Sequence, residues 1–294
     1  MAIPQVPDSA LRNPFRTDLL SGQVAIVTGG GTGVGRAIAL ELAECGAKLA
    51  ICGRRPDPIA QVAAEIQAKG GTCLHRTCDI REPEQIAAFV AAVKAELGRI
   101  DILVNNAGGQ RPFPAADMPL VNFEKVVKNN LIGTFAMTQA VAQQAMIPQQ
   151  SGSIINIIAM IYRGFPGMAH TGAARAGVDN LTKSLAVEWS QYRIRCNAVA
   201  PGIIRTSGTD RYPEELLHIA RRSTPWKRLG VSEEVAHLVT FLASPAADYV
   251  TGSTYYIDGG ASHVGRYVPP PRRRVAGKNA VLFGRRACFD SPKA

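Results

Sequence analysis

A glycine-rich turn between an apolar run and a helical pattern constrains this chain more than any other feature. Residues 28–35 read Thr-Gly-Gly-Gly-Thr-Gly-Val-Gly and directly follow the apolar run 24–27. Gly29, Gly33 and Gly35 allow a tight turn and a close approach of a ligand to the backbone. The helix that starts here presents unpaired N–H groups and a positive dipole to a pyrophosphate. The pattern predicts the first βαβ unit of a dinucleotide-binding domain.

Further strand-like runs alternate with helical segments along the rest of the chain. They span residues 48–53, 72–77, 101–105, 153–158, 194–200 and 253–257. Such alternation is typical of a parallel sheet covered by helices on both faces, with the ligand at the carboxyl ends of the strands. We therefore expect a single Rossmann-type doubly wound α/β domain. Its predicted bounds are residues 21–263, between an N-terminal arm of residues 1–20 and a basic extension of residues 264–294.

The basic extension carries most of the formal net charge of +10. Residues 264–294 hold eight Lys or Arg and one acid, which leaves about +3 for the rest of the chain. Three prolines and three arginines follow one another at residues 269–274, so we interpret the segment as an extended, solvated appendage. Its basic residues do not alternate with aromatic ones, and we expect no nucleic-acid partner.

The composition favours an intracellular protein without a metal. No apolar run reaches the length of a membrane span, so none is predicted. The first residues combine prolines with Asp8 and Asp18, which is unlike a signal peptide. The six cysteines show no zinc-binding spacing, and reduced thiols are expected. These observations predict a cytoplasmic location and no metal site.

Several motifs in the same order along the chain make residues 20–262 similar to the short-chain dehydrogenase/reductase family. They are the glycine turn, Asp79, Asn105-Asn106-Ala107-Gly108, Asn130, residues 201–206 and Asp258-Gly259-Gly260. The resemblance implies a nicotinamide dinucleotide cofactor and a homo-oligomer, either a dimer or a tetramer. It places Asp79 and Ile80 against the adenine, and Ile204 and Thr206 at the nicotinamide amide. The implied cofactor residues are Gly29, Gly31, Thr32, Gly33, Val34, Asp79, Ile80, Asn106, Ala107, Gly108, Arg175, Pro201, Gly202, Ile204 and Thr206.

The segment after the second strand predicts which dinucleotide is bound. A unit that prefers NAD places an acid about twenty residues after the glycines, where it binds the ribose 2′-OH. This chain has Gly53-Arg54-Arg55 there. A guanidinium binds a 2′-phosphate through two hydrogen bonds, so we expect NADP(H), with Arg54 and Arg55 as ligands. The alternative is that these arginines are solvated loop charges.

The catalytic positions depart from the family pattern, which is a Ser followed by Tyr-x-x-x-Lys. When residues 176–178 are aligned with the segment after the lysine, Thr171 stands at the tyrosine position and Arg175 at the lysine position. Ile158 or Ala159 stands at the serine position. Residues 171 and 175 share one helix face, so we expect Arg175 to reach a cofactor ribose or a substrate carbonyl.

The missing tyrosine narrows the expected reaction. Residues 152–158, 164–166 and 170–177 closely resemble the peroxisomal trans-2-enoyl-CoA reductase branch, with the 2,4-dienoyl-CoA reductases as neighbours. The resemblance implies an acyl-CoA thioester substrate and hydride delivery to its β-carbon, which makes an enolate. Reduction of the double bond needs hydrogen-bond donors at the enolate oxygen, whereas reduction of a ketone needs a strong acid that protonates the alkoxide. Reduction of the double bond can therefore proceed without the tyrosine.

Tyr162, Arg175, Asn130 and Thr171 are the candidate catalytic residues. Tyr162 is the only tyrosine between the fifth strand and the long helix, and the dienoyl-CoA reductases resemble this chain in using a tyrosine from that loop. The alternatives are a half-buried aromatic for Tyr162 and an ion pair with Asp179 for Arg175. Cations near the substrate mouth are candidates for binding the CoA phosphates. They are Arg111, Arg205, Arg211, Arg221, Arg222, Lys227 and Arg228.

Two other classes of function stay open at this point. The missing tyrosine and lysine are also expected of an inactive, cofactor-binding subunit of a hetero-oligomeric dehydrogenase. The chain is also compatible with a 3-hydroxyacyl-CoA dehydrogenase or carbonyl reductase whose acid has moved to Tyr162. Turnover by the isolated protein distinguishes these classes.

Overall fold

The structure of the protein is a computed structural model that describes residues 6–206 and 214–263. The predicted basic extension and the candidate phosphate ligand Arg211 lie outside the described residues. No helix in the described ranges is long and apolar enough to cross a membrane. The same ranges contain no group of three or more His, Cys, Asp or Glu side chains suited to a metal ion.

Nine strands are found in the described residues, and seven of them form one parallel sheet. Their bounds are β1 Val24–Thr28, β2 Lys48–Gly53, β3 Cys73–Thr77, β4 Ile102–Asn105, β5 Gly152–Ile157, β6 Ile194–Pro201, β7 Ile204–Arg205, β8 Gly230–Val231 and β9 Thr254–Ile257. The order in the large sheet is β3-β2-β1-β4-β5-β6-β9, and β7 pairs with β8. The chain changes direction across the sheet between β1 and β4, which opens a crevice at their carboxyl ends. The predicted doubly wound fold is confirmed.

Helices cover both faces of the sheet. Their bounds are α1 Gly33–Glu44, α2 Pro56–Ala68, α3 Pro83–Leu97, α4 Leu120–Val127, α5 Gly133–Val141, α6 Ile147–Gln149, α7 Ala169–Glu188, α8 Glu214–Ser223 and α9 Ser232–Ala243. One core lies between the sheet and α1, α2 and α9, and the other between the sheet and α3, α5 and α7. Within β1, Ala25 and Val27 pack into the first core and Ile26 into the second. Because successive side chains alternate in direction, a continuously apolar strand suits a sheet buried on both faces.

A buried polar network connects the centre of the sheet to the helices beside the site. Asn105 Nδ2 donates to Thr138 Oγ1 at 2.7 Å and to Asn156 Oδ1 at 2.9 Å. Asn156 Nδ2 donates in turn to Thr182 Oγ1 at 2.9 Å. Since these buried groups satisfy one another, the network fixes β4 and β5 relative to α5 and α7. The network thereby fixes the position of the end of β4 relative to the face of α7 that carries residue 175.

Candidate active site

The turn between β1 and α1 requires glycine at several positions. Gly29 has φ of 67° and Gly33 has φ of 53°, in the left-handed region that favours glycine. A Cβ atom at Gly31 would lie 2.9 Å from the backbone N of Ile59, and one at Gly35 would overlap the carbonyl O of Gly29. Since α1 begins at Gly33, the turn surrounds a helix N-terminus with bare backbone. This cradle fits the pyrophosphate of a dinucleotide.

A cleft of about 360 Å³ adjoins the glycine turn and the ends of β2, β3 and β4. Many of the predicted cofactor residues line it, together with several that the sequence analysis did not identify. The predicted ones are Gly29, Gly31, Thr32, Arg54, Arg55, Asp79, Ile80, Ala107 and Gly108. The additional ones include Cys52, Pro58, Ile59, Cys78 and Asn129. Only Cys78 directly follows a strand; Cys52 lies within β2, Pro58 and Ile59 lie in α2, and Asn129 lies in a π-helical turn, so no single sequence signal identifies them.

The remaining predicted cofactor residues lie around this cleft. Asn106 Nδ2 donates to the carbonyl O of Thr28 at 3.0 Å, which ties the end of β4 to the end of β1. Thr206 lies beside the glycine turn, because its Cγ2 atom is 3.5 Å from the position of a Cβ added at Gly33. Val34 packs on the core beneath α1. Pro201 ends β6, while Gly202 and Ile204 line a second cavity.

The end of the cleft beside β2 and β3 carries an excess of positive charge. Arg54 and Arg55 are exposed, and neither lies within ion-pair distance of a carboxylate in the described ranges. Asp79 lines the same cleft, and Arg81 Nε donates to its carboxylate at 2.9 Å. This hydrogen bond holds the pKa of Asp79 below its usual range, and Arg54 makes a smaller contribution. With Asp79 neutralised by Arg81, the two exposed guanidinium groups remain for an anionic ligand.

Arg175 is a buried cation that has no carboxylate partner among the described residues. Its side chain lies on α7 and the residue is 7% exposed, with Nη1 donating to the carbonyl O of Ile157 at 2.8 Å. Burial lowers the pKa of Arg175 to about 10, so the guanidinium stays protonated at neutral pH. The alternative ion pair with Asp179 is absent, because Asp179 pairs with Lys183. A buried charge in this state is costly unless a ligand supplies the opposite charge.

Asn130 and Arg175 meet at Gly108, directly after β4. A Cβ atom at Gly108 would lie 2.6 Å from Asn130 Oδ1 and would overlap Arg175 Nη2. Asn130 sits in a π-helical turn, and its Nδ2 donates to the carbonyl oxygens of Gly109 and Val126, each at 3.0 Å. Asn130 Oδ1 accepts from the backbone N–H of Gly109 at 3.2 Å. Asn130 therefore holds the loop that borders the guanidinium.

Thr171 lies one helical turn before Arg175, whereas Tyr162 lies on the surface beside β9. Thr171 is buried, and its Oγ1 is 3.2 Å from His170 Nδ1. Tyr162 is 69% exposed, and the edge of its ring packs on Tyr256 with the ring centroids 6.3 Å apart. The structure thus brings Arg175 and Asn130 together and places Tyr162 on the surface. No hydrogen bond joins Tyr162 to Arg175 in the described residues, because Tyr162 packs on β9, and the donor role of Tyr162 stays a prediction.

Several cations predicted to bind CoA phosphates are already engaged within the protein. Arg228 forms an ion pair with Glu234 at 2.6 Å, and Arg221 forms one with Glu214 at 2.9 Å. Lys227 Nζ donates to the carbonyl O of Arg222 at 2.9 Å. The side chains of Arg111, Arg205 and Arg222 form no ion pair within residues 6–206 and 214–263. Among the described residues, these three arginines are thus the predicted phosphate ligands with neither an ion pair nor a side-chain hydrogen bond.

Comparison with known proteins identifies the family. A family model described as enoyl-(acyl carrier protein) reductase matches residues 29–262. The chain belongs to the short-chain dehydrogenase/reductase family. This short-chain dehydrogenase/reductase is 41% identical over 254 residues to the peroxisomal 2,4-dienoyl-CoA reductase of Danio rerio. The aligned region covers 84% of each chain. The predicted resemblance to the dienoyl-CoA reductase branch is thereby confirmed.

Two further relatives show how varied the names in this family are. The 3-oxoacyl-[acyl-carrier-protein] reductase of Synechocystis is 39% identical over 244 residues, covering 82% of this chain and 97% of that one. The solved structure of a citronellol catabolism dehydrogenase, AtuB, from Pseudomonas aeruginosa PAO1 is 44% identical. It has a TM-score of 0.77 and covers 85% of this chain and 99% of that one. The similarity establishes an oxidoreductase family, and the geometry of the site has to indicate the reaction.

Proposed function

We propose that this protein reduces the carbon–carbon double bond of an enoyl-CoA thioester with NADPH. The observation that carries the proposal is Arg175, a buried guanidinium without a carboxylate partner in the described structure, at the position of the family lysine. The enolate oxygen that develops during the reduction is the negative charge that such a site would compensate, and a proton from solvent at the α-carbon would then complete the reduction. The relative from Danio rerio, named a 2,4-dienoyl-CoA reductase, supports this class of substrate.

NADPH, when bound, supplies the hydride. The bare backbone of the glycine turn would hold its pyrophosphate, because Gly31 and Gly35 leave no side chain in the way. Arg54 and Arg55 would bind the 2′-phosphate at the positive end of the cleft. These features support NADPH rather than NADH, since no unpaired acid stands at the end of β2 for a ribose 2′-OH.

The protein's own groups stabilise charge and exclude a competing reaction. One N–H group of Arg175 is used by Ile157, so Nη2, which borders Gly108, stays available for an enolate oxygen. Burial strengthens that interaction, because the local dielectric constant is low. Thr171 has no acidic phenol, so an alkoxide formed from a ketone at this position has no strong proton donor. The site therefore favours reduction of the double bond over reduction of a carbonyl group.

Reduction of a 3-ketoacyl thioester is the second candidate. The relative from Synechocystis named as a 3-oxoacyl-[acyl-carrier-protein] reductase supports it. This reaction requires an acid, and Tyr162 is the residue that the sequence offers. An inactive subunit of a hetero-oligomer is the third possibility raised by the sequence.

A panel of thioesters tests the proposal with the isolated protein. NADPH oxidation is measured with trans-2-enoyl-CoA, 2,4-dienoyl-CoA and 3-ketoacyl-CoA of equal chain length. We expect turnover of the first or second class and none of the third. Turnover of the 3-ketoacyl thioester would support the ketoreductase instead, and no turnover of any class would support the inactive subunit.

The variant Tyr162→Phe tests the donor role predicted for Tyr162. We expect kcat for the enoyl thioester to stay within about twofold of wild type, because the ring is 69% exposed and packs on Tyr256. A residue that donates to the enolate would instead lower kcat by about 10²-fold when its hydroxyl is removed. A loss of that size, with unchanged NADPH affinity, would show that Tyr162 reaches the substrate during turnover.

Assembly and location stay predictions. The family resemblance favours a homo-oligomer, either a dimer or a tetramer. The composition favours the cytoplasm, whereas the relative from Danio rerio is named a peroxisomal enzyme.

A further inference from the structure

A second cavity, of about 350 Å³, lies between the segment after β6, the loop before β8 and the end of β9. Its lining includes Gly202, Ile203, Trp226, Arg228, Tyr256 and Asp258. No described residue lines both this cavity and the cleft beside the glycine turn. The second cavity is therefore separate from the predicted adenosine site.

Large apolar side chains around this cavity are unusually exposed. Trp226 is 61% exposed, Ile203 is 46% exposed and Tyr256 is 38% exposed. Tyr162 extends this surface, because its ring packs edge-on against Tyr256. A contiguous group of exposed apolar side chains around a concave site is typical of a ligand-binding groove or an interface.

The charged side chains of the cavity are already paired within the protein. Arg228 Nη1 and Nη2 donate to the two carboxylate oxygens of Glu234 at 2.9 and 2.6 Å, and the guanidinium lies 5.0 Å from the ring centroid of Trp226. The Asp258 carboxylate accepts from the backbone N–H groups of Gly260 and Ser262 at 2.9 and 2.6 Å. An anionic ligand such as a CoA phosphate would compete with these contacts. An uncharged ligand that contacts Ile203, Trp226 and Tyr256 would leave these ion pairs and hydrogen bonds in place.

The cavity also lies next to the segment that borders the cofactor site. Gly202 and Ile204 line it, and Thr206, two residues further on, lies beside the glycine turn. We infer that this cavity binds the hydrocarbon chain of the acyl-CoA substrate. The inference rests on the proposed function. It predicts that a thioester with a long acyl chain is a better substrate than one with a short chain.

The variant Trp226→Ala tests the inference by chain length. We expect kcat/KM for trans-2-dodecenoyl-CoA to fall about tenfold through a higher KM, and the value for crotonyl-CoA to stay within about twofold. Tyr249→Ala is the matched control, because Tyr249 is a fully exposed aromatic residue that does not line the cavity. Equal losses for both chain lengths, or no loss for either, would overturn the inference.

Tryptophan fluorescence provides a second measurement that does not depend on turnover. The chain has two tryptophans, and Trp189 packs partly buried against the core. Titration with dodecanoyl-CoA should shift the emission of the wild type to shorter wavelength, CoA alone should not, and Trp226→Phe should abolish the shift. A shift caused by CoA alone would assign the cavity to the head group and overturn the inference.

The fluorescence measurement also distinguishes an acyl chain in the cavity from a second copy of the protein that covers it. If the emission of Trp226 is insensitive to dodecanoyl-CoA, the acyl chain does not enter the cavity, and if the emission changes with protein concentration instead, a second copy covers it. Either result overturns the inference. If dodecanoyl-CoA binds but no enoyl thioester is reduced, the proposed reaction is wrong while the acyl-binding cavity stands.

Discussion

Arg175→Ala should lower kcat for an enoyl thioester by about 10²-fold or more, while the Kd for NADPH stays close to that of the wild type. The guanidinium is buried and has no carboxylate partner in the described structure, so its free N–H groups are available to an enolate oxygen. Steady-state kinetics and NADPH titration measure the two quantities. Lys183→Ala is the control, because it removes an exposed charge from the same helix.

Arg175→Lys sharpens this test. It restores the lysine of the family pattern while Thr171 still stands at the tyrosine position. Enoyl reduction should fall, because a planar fork of donors is replaced by a point charge, and ketone reduction should not appear. If Arg175→Ala keeps full activity, the donor lies elsewhere. If NADPH affinity falls in parallel with kcat, Arg175 acts on the cofactor instead.

Replacing both arginines after β2 should reverse the cofactor preference. The wild type should favour NADPH over NADH by at least about tenfold, since a charged hydrogen bond contributes about 1.5–3 kcal/mol. In Arg54→Asp combined with Arg55→Ala, the new carboxylate would stand near Asp79 and repel the 2′-phosphate. We expect the double variant to favour NADH.

The ratio of kcat/KM for NADPH to that for NADH measures this reversal. Lys69→Ala is a suitable control, because Lys69 is an exposed lysine that pairs with Glu44 and does not line the cleft. Equal use of the two cofactors by the wild type would contradict the assignment of Arg54 and Arg55. A double variant that loses affinity for both cofactors would show a structural role for the two arginines.

Local chain chemistry was sufficient to predict the fold and the glycine turn at the edge of the sheet. The apolar run at β1, the glycines after it and the start of α1 are neighbours in sequence, so their geometry is set by local sterics and hydrogen bonding. Parallel strands carry the residues that follow them to one edge of the sheet. The family resemblance named Asp79 and Gly108, the charge after the second strand named Arg54, and all three residues line one cleft.

Partners of individual side chains depended on packing between distant segments. Spacing on α7 allowed Arg175 to pair with Asp179, but the fold buries the arginine beside Gly108 and gives Asp179 to Lys183. The position of Tyr162 depended in the same way on a loop between β5 and α7, whose direction no sequence period specifies. Helical and strand periodicity determine which face of an element a residue occupies, but not what is packed against that face.

The sequence by itself determined the doubly wound sheet, the glycine turn and the loss of the family tyrosine, because these follow from residue type and local order. Only the tertiary structure decided that Arg175 is a buried cation without a described carboxylate partner. It also decided that Arg228 and Glu234 neutralise each other beneath Trp226. Burial and ion pairing are properties of groups brought together by folding, so their free energies cannot be assigned until the distances between those groups are known.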